Sequence, residues 1–171
     1  MIIARDTRDK QGHHDNVDNG LTALGHKIVR TKLYVGDVAL MYDMTTAIDL
    51  KQDMQEVYSN IVGHQHRRFV DECIRAKENG IRLIVLVEQA GIRSVQDVAN
   101  WKNPRMIRWN RIHSGQQAGK YTGVKISEKP PIPSAQLAKA MQTIAERYGV
   151  EWMFCSKADT VKVICEVLKI E

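Results

Sequence analysis

Three residues in this sequence could do chemistry together: Asp37, Asp49 and Lys51. Asp49 and Lys51 stand two apart, and residues two apart on a β-strand share a face. Their carboxylate and ammonium should therefore project together. Asp37 opens the preceding strand of what reads as one hairpin, and Asp6 ends a predicted neighbouring strand. Magnesium takes oxygen ligands in a near-octahedral shell and keeps several waters. Two carboxylates, one main-chain carbonyl and a scissile phosphate make such a shell. The metal would polarise the phosphate and lower the pKa of a bound water. Lys51 would orient that water or stabilise charge in the transition state. The same residues admit a plainer account. Asp37 could be a turn residue after Gly36, Asp49 could cap the following helix, and an Asp-x-Lys triplet is common by chance.

The elements that must position these groups follow from patterning. Ile2–Asp6 reads as a short buried strand, residues 9–19 as a polar, turn-rich stretch, and Leu21–Leu24 as a short helix closed by Gly25. His26–Tyr34 alternates as a strand. Val38–Tyr42 and Thr45–Leu50 read as two strands joined by a tight turn near Asp43. After Asp53, a capping residue, Met54, Val57, Tyr58, Ile61 and Val62 fall at helical spacing. Gly63 breaks that helix. A second runs from His64 to Asn79 with Phe69, Cys73 and Ile74 inward. Leu83–Val87 is a continuous apolar run, the mark of a strand buried on both faces. Ser94 caps a short helix reaching Trp101. Residues 102–133 show no clear periodicity and read as a long loop. Ser134 caps a helix with Leu137, Met141, Ile144, Ala145 and Tyr148 inward, ended by Gly149. Trp152–Cys155 is a strand, and Ser156 caps a last helix with Val161, Ile164, Cys165 and Leu168 on one face. Strands alternating with helices predict an α/β layer structure, and 171 residues suggest one domain.

Composition narrows the function. With 43% hydrophobic and 26% charged residues, and no apolar run near the ~20 residues of a membrane span, a soluble chain without a membrane partner is expected. The N-terminus is apolar for too few residues to read as a secretory signal. The three cysteines, Cys73, Cys155 and Cys165, form no CxxC pair and sit in apolar stretches. They read as buried free thiols in a cytoplasmic protein. The net charge of +5 is a mild excess, but its distribution is uneven. No Asp or Glu occurs between Val98 and Ser127, a window holding Lys102, Arg105, Arg108, Arg111, Lys120 and Lys125. Trp101, Trp109 and Tyr121 are interleaved with them. Cations neutralise phosphates and aromatic rings stack on bases, so DNA or RNA is one reading; a solvated basic face is the other.

Other chemistries fail on spacing. Gly115 and Gly119-Lys120 enclose three residues where a phosphate-binding P-loop needs four, and Tyr121 follows in place of Ser or Thr. Gly20 and Gly25 have the right gap but precede His26. No HExxH occurs, and no cofactor loop for a small-molecule α/β enzyme is recognisable.

The ordered set Asp6-Thr7-Arg8-Asp9, Val35-Gly36-Asp37, Asp49-Leu50-Lys51 and Leu83-Ile84-Val85-Leu86-Val87-Glu88 resembles the XPF-type nuclease domain family of the PD-(D/E)xK restriction-endonuclease-like superfamily. The resemblance covers most of the chain, through about residue 90 and again from Ser134 to Leu168, and makes residues 1–171 a single domain with residues 92–133 divergent or inserted. It implies a restriction-endonuclease-like core, a central mixed β-sheet flanked by α-helices. It implies a DNA endonuclease selective for branched, flapped or forked structures, using Mg2+ or, in its place, Mn2+. By matching positions, Asp37, Asp49 and the Leu50 carbonyl would hold metal and Lys51 would be the catalytic lysine. Asp6 would assist and Arg8 would support it. In such a fold Arg67, Arg68 and Glu72 lie near the site, with Arg68 a candidate phosphate contact. Two departures stand out. The family's Glu-Arg-Lys is here Asp-Leu-Lys, and its later Asp aligns with Gln55, where Glu56 could substitute. No tandem helix-hairpin-helix module is seen, so Lys102, Arg105, Arg108 and Arg111 are the expected DNA grip. A homodimer stays open, as does an inactive DNA-binding or scaffolding relative.

Overall fold

In the computed structural model, which describes residues 1–8, 14–114 and 129–170, thirteen elements follow one another. They are β1 (Ile2–Asp6), α1 (Asp15–Ala23), β2 (Lys27–Thr31), β3 (Val38–Leu40), β4 (Asp43–Lys51), α2 (Met54–Val62), α3 (His66–Glu78) and β5 (Arg82–Glu88). A single 3-10 turn (Asp97–Asn100) and α4 (Pro104–His113) precede α5 (Ser134–Tyr148), β6 (Glu151–Cys155) and α6 (Thr160–Leu168). The expected mixed sheet flanked by helices is present, with strand order β2-β1-β3-β4-β5-β6.

Among these six strands β3 alone runs against the others: it pairs antiparallel with β1 and β4, and the remaining pairs are parallel. The carboxyl ends of β1, β4 and β5 therefore meet the amino end of β3 at one edge of the sheet. In open α/β sheets that edge is where ligands bind. Asp6, Asp37, Lys51 and Glu88 all arrive there.

Register then sorts the side chains by face. Val38 lies opposite Arg5 and Ile48, and Ala39 opposite Ala4 and Ala47. Partners directly opposite share a face, so Asp6, Asp37, Asp49 and Lys51 fall with Ala39 and Ala47. This face is covered by α2, α3 and α5, whose Met54, Val57, Phe69, Cys73, Leu137 and Met141 pack on Ala47, Val85 and Val87. The other face carries Ile3, Val38, Ile48, Leu50, Ile84 and Leu86 against Val17 and Leu21 of α1 and Ile164 and Leu168 of α6.

Several expectations need correction. Residues 15–19 are not turn-rich but helical, since α1 begins at Asp15 and buries Val17 and Leu21 one turn apart. β2 is shorter than residues 26–34, because Leu33 and Val35 already belong to the approach to β3. The stretch after Trp101 is not all loop: α4 has no buried residue, so it carries no apolar periodicity to be read. It is started by Asn103, whose side chain accepts from Arg105 N at 3.0 Å, and by Pro104 in its first turn. Ser94 does not open a helix reaching Trp101; the helical turn is only Asp97–Asn100. Ser134 and Ser156 are not caps either. The Ser134 hydroxyl donates to Trp101 O at 2.6 Å, and that of Ser156 to Asp159 at 2.6 Å. Cys73 and Cys155 are buried as free thiols, and Cys165 is only half-buried. Among the described residues no helix is long and apolar enough to cross a membrane.

Candidate active site

The site grows from the last three residues of β4. Asp49 and Lys51, predicted to share a face, do so, and both are buried, at 4% and 5% exposure. The Lys51 ammonium lies 2.7 Å from both Asp49 carboxylate oxygens; Oδ1 accepts the better-aligned hydrogen bond, and the buried Oδ2 has no donor besides that ammonium. Glu56 of α2 stands 3.8 Å from the same ammonium, and the ring of Phe69 lies 6.0 Å beneath it. Glu56 also accepts from Gln52 N at 2.9 Å, while Asp53 accepts from Gln55 N and Glu56 N at 2.8 and 2.9 Å. The cap of α2 is thus Asp53 rather than Asp49, and Asp49 is left for the site.

Asp37 reaches the same place from β3. Its Oδ2 accepts from Leu50 N at 2.9 Å. The N–H and C=O of one strand residue point to the same side, so the Leu50 carbonyl is directed toward Asp37 as well. The Leu50 side chain turns to the opposite face. The main chain of Asp37 is tied on every side: its N–H donates to Ile48 O at 2.8 Å, and its carbonyl accepts from Asp6 N at 2.9 Å and Arg5 Nη1 at 3.1 Å. The preceding Gly36 has φ +72°, and a Cβ there would sit 2.9 Å from Ile48 O. Only glycine fits that turn without strain.

The charges are unbalanced. Burial pushes the Asp49 carboxyl well above its ordinary range; Lys51 opposes this, and Asp37 and Glu72 add to it. Burial also works against the Lys51 ammonium, but Asp49, Asp37 and Glu56 outweigh it and hold its pKa above the ordinary lysine value. Lys51 thus answers Asp49, Asp37 and Glu56, and Arg8, held on Asp6, adds its charge to Asp37 and Glu72. No three Asp, Glu, His or Cys groups among the described residues gather as a metal cluster. Magnesium does not require one, since it is commonly held by one or two carboxylates and its own waters. Asp49 Oδ2, which only the Lys51 ammonium touches, the Asp37 carboxylate and the Leu50 carbonyl are the oxygen donors a hard divalent cation takes.

Asp6 stands beside Asp37, but its carboxylate is taken. Oδ1 accepts from Arg8 N at 2.6 Å and Arg8 Nε at 2.9 Å; Oδ2 accepts from Arg8 Nη2 at 2.5 Å and Leu33 N at 3.0 Å. Burial opposes its ionisation, yet the Arg8 and Leu33 hydrogen bonds hold its pKa below the usual carboxylate range. Arg8 in turn spends Nη2 on Leu33 O, 2.8 Å away. Glu88 lies at the same sheet edge but on the other face, where it accepts from Thr160 Oγ1 at 2.7 Å.

A family model for the ERCC4 domain matches residues 5–167, nearly the whole chain. The chain belongs to the ERCC4 domain family. This is the DNA-nuclease grouping that its ordered motifs resemble. XPF from Aeropyrum pernix is similar in structure, with a TM-score of 0.59 and 16% identity over 99% of this chain and 60% of that one. The structure described as XPF from Aeropyrum pernix in complex with DNA matches likewise, with a TM-score of 0.59 and 16% identity over 98% of this chain and 63% of that one. The chain therefore spans less than two thirds of these relatives' length, and at this identity the likeness is one of fold. No curated protein sequence matches it.

The remaining basic candidates of this ERCC4 domain divide into two places. Arg68 is exposed on the first turn of α3, four residues before Glu72 and so on the same side of the helix. Glu72 touches the Gly36 turn, with Gly36 N donating to its Oε1 at 2.8 Å, so Arg68 borders the site. Lys102, Arg105, Arg108 and Arg111 lie on or just before α4, all exposed. Arg105 is an anchor: its Nη2 donates to Ser59 Oγ at 2.8 Å and its guanidinium covers the Tyr58 ring at 5.0 Å, tying α4 to α2. The two tryptophans of this window part company. Trp101 packs against the core, whereas Trp109 stacks on His113 with ring centres 3.9 Å apart. Asp9, Lys120, Tyr121, Lys125 and the Gly115–Lys120 stretch lie outside the described residues. The role of Glu72 was not assigned from sequence, although it borders the inward stripe Phe69, Cys73 and Ala76 at helical spacing.

Proposed function

We propose that this ERCC4 domain is a metal-dependent DNA endonuclease that hydrolyses phosphodiester bonds, selecting branched, flapped or forked duplexes. The observation that carries the reading is the buried Asp49–Lys51 pair, a carboxylate with no donor besides that one ammonium, set beside Asp37 at the ligand-binding edge of the sheet. Ion pairs that contribute only stability are normally exposed or fully hydrogen-bonded, because burying charge is costly.

Asp37, Asp49 and the Leu50 carbonyl would hold Mg2+ or Mn2+. A cation there supplies charge neutralisation on the phosphate and a more acidic water. Asp6 and Arg5 hold the Asp37 main chain so that its carboxylate stays aimed at Leu50. Lys51, kept protonated by its acidic neighbours, donates hydrogen bonds to the attacking water or to charge developing on the phosphate. Phe69 and α2 keep bulk water from the lysine's inner side, which strengthens these interactions. Arg68 at the rim and Lys102, Arg108 and Arg111 on or just before α4 neutralise backbone phosphates. The relative solved with DNA supports DNA as the partner.

The deciding experiment compares wild type with Asp49→Ala on labelled flap, fork and linear DNA, with Mg2+, Mn2+ or chelator. Metal-dependent cutting of the branched substrates that vanishes in the variant is expected. Tight binding with no cutting under either metal would instead make the chain an inactive DNA-binding relative. In the same preparation, Arg108→Ala combined with Arg111→Ala should lower the slope of log affinity against log salt by about two. An unchanged slope removes α4 from the interface. The mass of the complex in solution distinguishes one bound copy from two.

A further inference from the structure

α3 sends one carboxylate into the site that the Asp37–Asp49–Lys51 constellation does not use. Glu72 Oε1 accepts from the N–H of Gly36 at 2.8 Å. Gly36 is buried, and a buried main-chain N–H without a partner is costly. The place of that bond matters more than its presence. Gly36 adopts φ +72°, conformational space that glycine enters and leaves freely. The next residue is Asp37. The strand it leads into, β3, is only three residues long, and its register slips between Ala39 and Leu40. The ladder alone is therefore a weak hold on the residue that must aim its carboxylate. Everything else that fixes Asp37 acts at or after its own nitrogen: Ile48 O, Asp6 N, Arg5 Nη1 and Leu50 N. Glu72 is what fixes the glycine before it.

We propose that Glu72 is a positioning residue of the active site, clamping the Gly36–Asp37 turn from α3 so that the Asp37 carboxylate faces Asp49 and the Leu50 carbonyl. The assignment rests on the nuclease reading of Asp37. It makes the first half of α3 a single device, with Phe69 lying under Lys51, Glu72 holding Asp37 in place and Arg68 at the rim.

Two substitutions separate the hydrogen bond from the charge. Glu72→Gln keeps a carbonyl oxygen for the Gly36 N–H and loses the charge; Glu72→Met keeps the length and loses both. Glu72→Met is expected to weaken Mn2+ binding, measured by calorimetry without DNA, and the single-turnover cleavage rate, each by about 10-fold or more. DNA affinity should be unchanged, so the loss falls on the rate and not on KM. Glu72→Gln should restore most of both. Wild-type metal affinity and rate in Glu72→Met would overturn the proposal, and so would a Glu72→Gln protein as impaired as Glu72→Met, since charge would then be the operative property. Hydrogen exchange at the Gly36 amide reads the clamp without metal or cleavage. Slow exchange is expected in wild type and Glu72→Gln, and fast exchange in Glu72→Met if it folds. Equal protection in all three sinks the clamp, whereas a wild type that shows this pattern but neither binds Mn2+ nor cuts DNA sinks only the nuclease reading.

Discussion

The two faces of β4 are equally closed to water and built from opposite materials. Ile48 and Leu50, at 0% and 2% exposure, point to α1 and α6; Asp49 and Lys51, at 4% and 5%, point to α2 and α3. Burying a leucine or isoleucine side chain stabilises a fold by about 1.5–3 kcal/mol. Burying two ions costs several kcal/mol each, which their mutual attraction offsets only in part. A strand that needed stability alone would carry apolar residues on both faces. The difference teaches that one residue of parity separates the part of β4 that holds the molecule together from the part kept for chemistry.

The largest effects should come from breaking the charged face. Lys51→Met removes the donor and leaves Asp49 buried without its partner. Cleavage should fall about 10²–10³-fold, and stability by about 3–5 kcal/mol in denaturant melts. Adding Asp49→Leu should return the stability to the wild-type level or above while cleavage stays absent. A double variant less stable than the single one would mean that the pair is structural, and the contrast between the faces would collapse. The apolar face should respond in the opposite sense. Leu50→Ala should cost about 2–5 kcal/mol, yet molecules that remain folded should cut at the wild-type rate, because its carbonyl is retained. A rate loss as deep as that of Lys51→Met would show that the faces are not separable.

The smallest effect sharpens the comparison at its margin, where Asp6 is a charge engaged in holding structure. Its folded-state pKa is depressed, so its stabilising contribution is fully present above the ordinary aspartate value, about 3.9, and is lost as pH falls through the lowered folded value. The difference in urea midpoint between wild type and Asp6→Asn should be constant near neutrality and shrink below pH ~4. A difference that persists at low pH would mean that the Asp6 carboxylate stabilises the fold without its charge.

Much of this was legible in the chain. The Asp-x-Lys parity, the helical stripe from Met54 to Ile61 and the apolar run of β5 are local patterns, and the structure keeps them. The start of α1 was obscured by Asp15, Asn16, Asp18 and Asn19, which favour turns and caps as readily as helix. α4 escaped because an unburied helix has no apolar stripe; Asn103 and Pro104 were the start signal available. Arg8 as the support of Asp6 was readable from sequence; only the contacts show that Leu33 N joins it and that both carboxylate oxygens are engaged.

By itself the sequence determined which residues carry charge, which of them share a strand face, and the order in which they meet along the chain, because these depend on neighbours a few residues apart. The hairpin of β3 and β4 was readable, but only the tertiary structure decided that it lies between β1 and β5, with β1 antiparallel to β3 and β5 parallel to β4. The tertiary structure alone brought Glu72 from 36 residues away to the Gly36 amide and left the Asp49 carboxylate with no donor besides Lys51. Those facts depend on strand direction and helix docking, contacts between distant parts of the chain that leave no periodic trace in either partner.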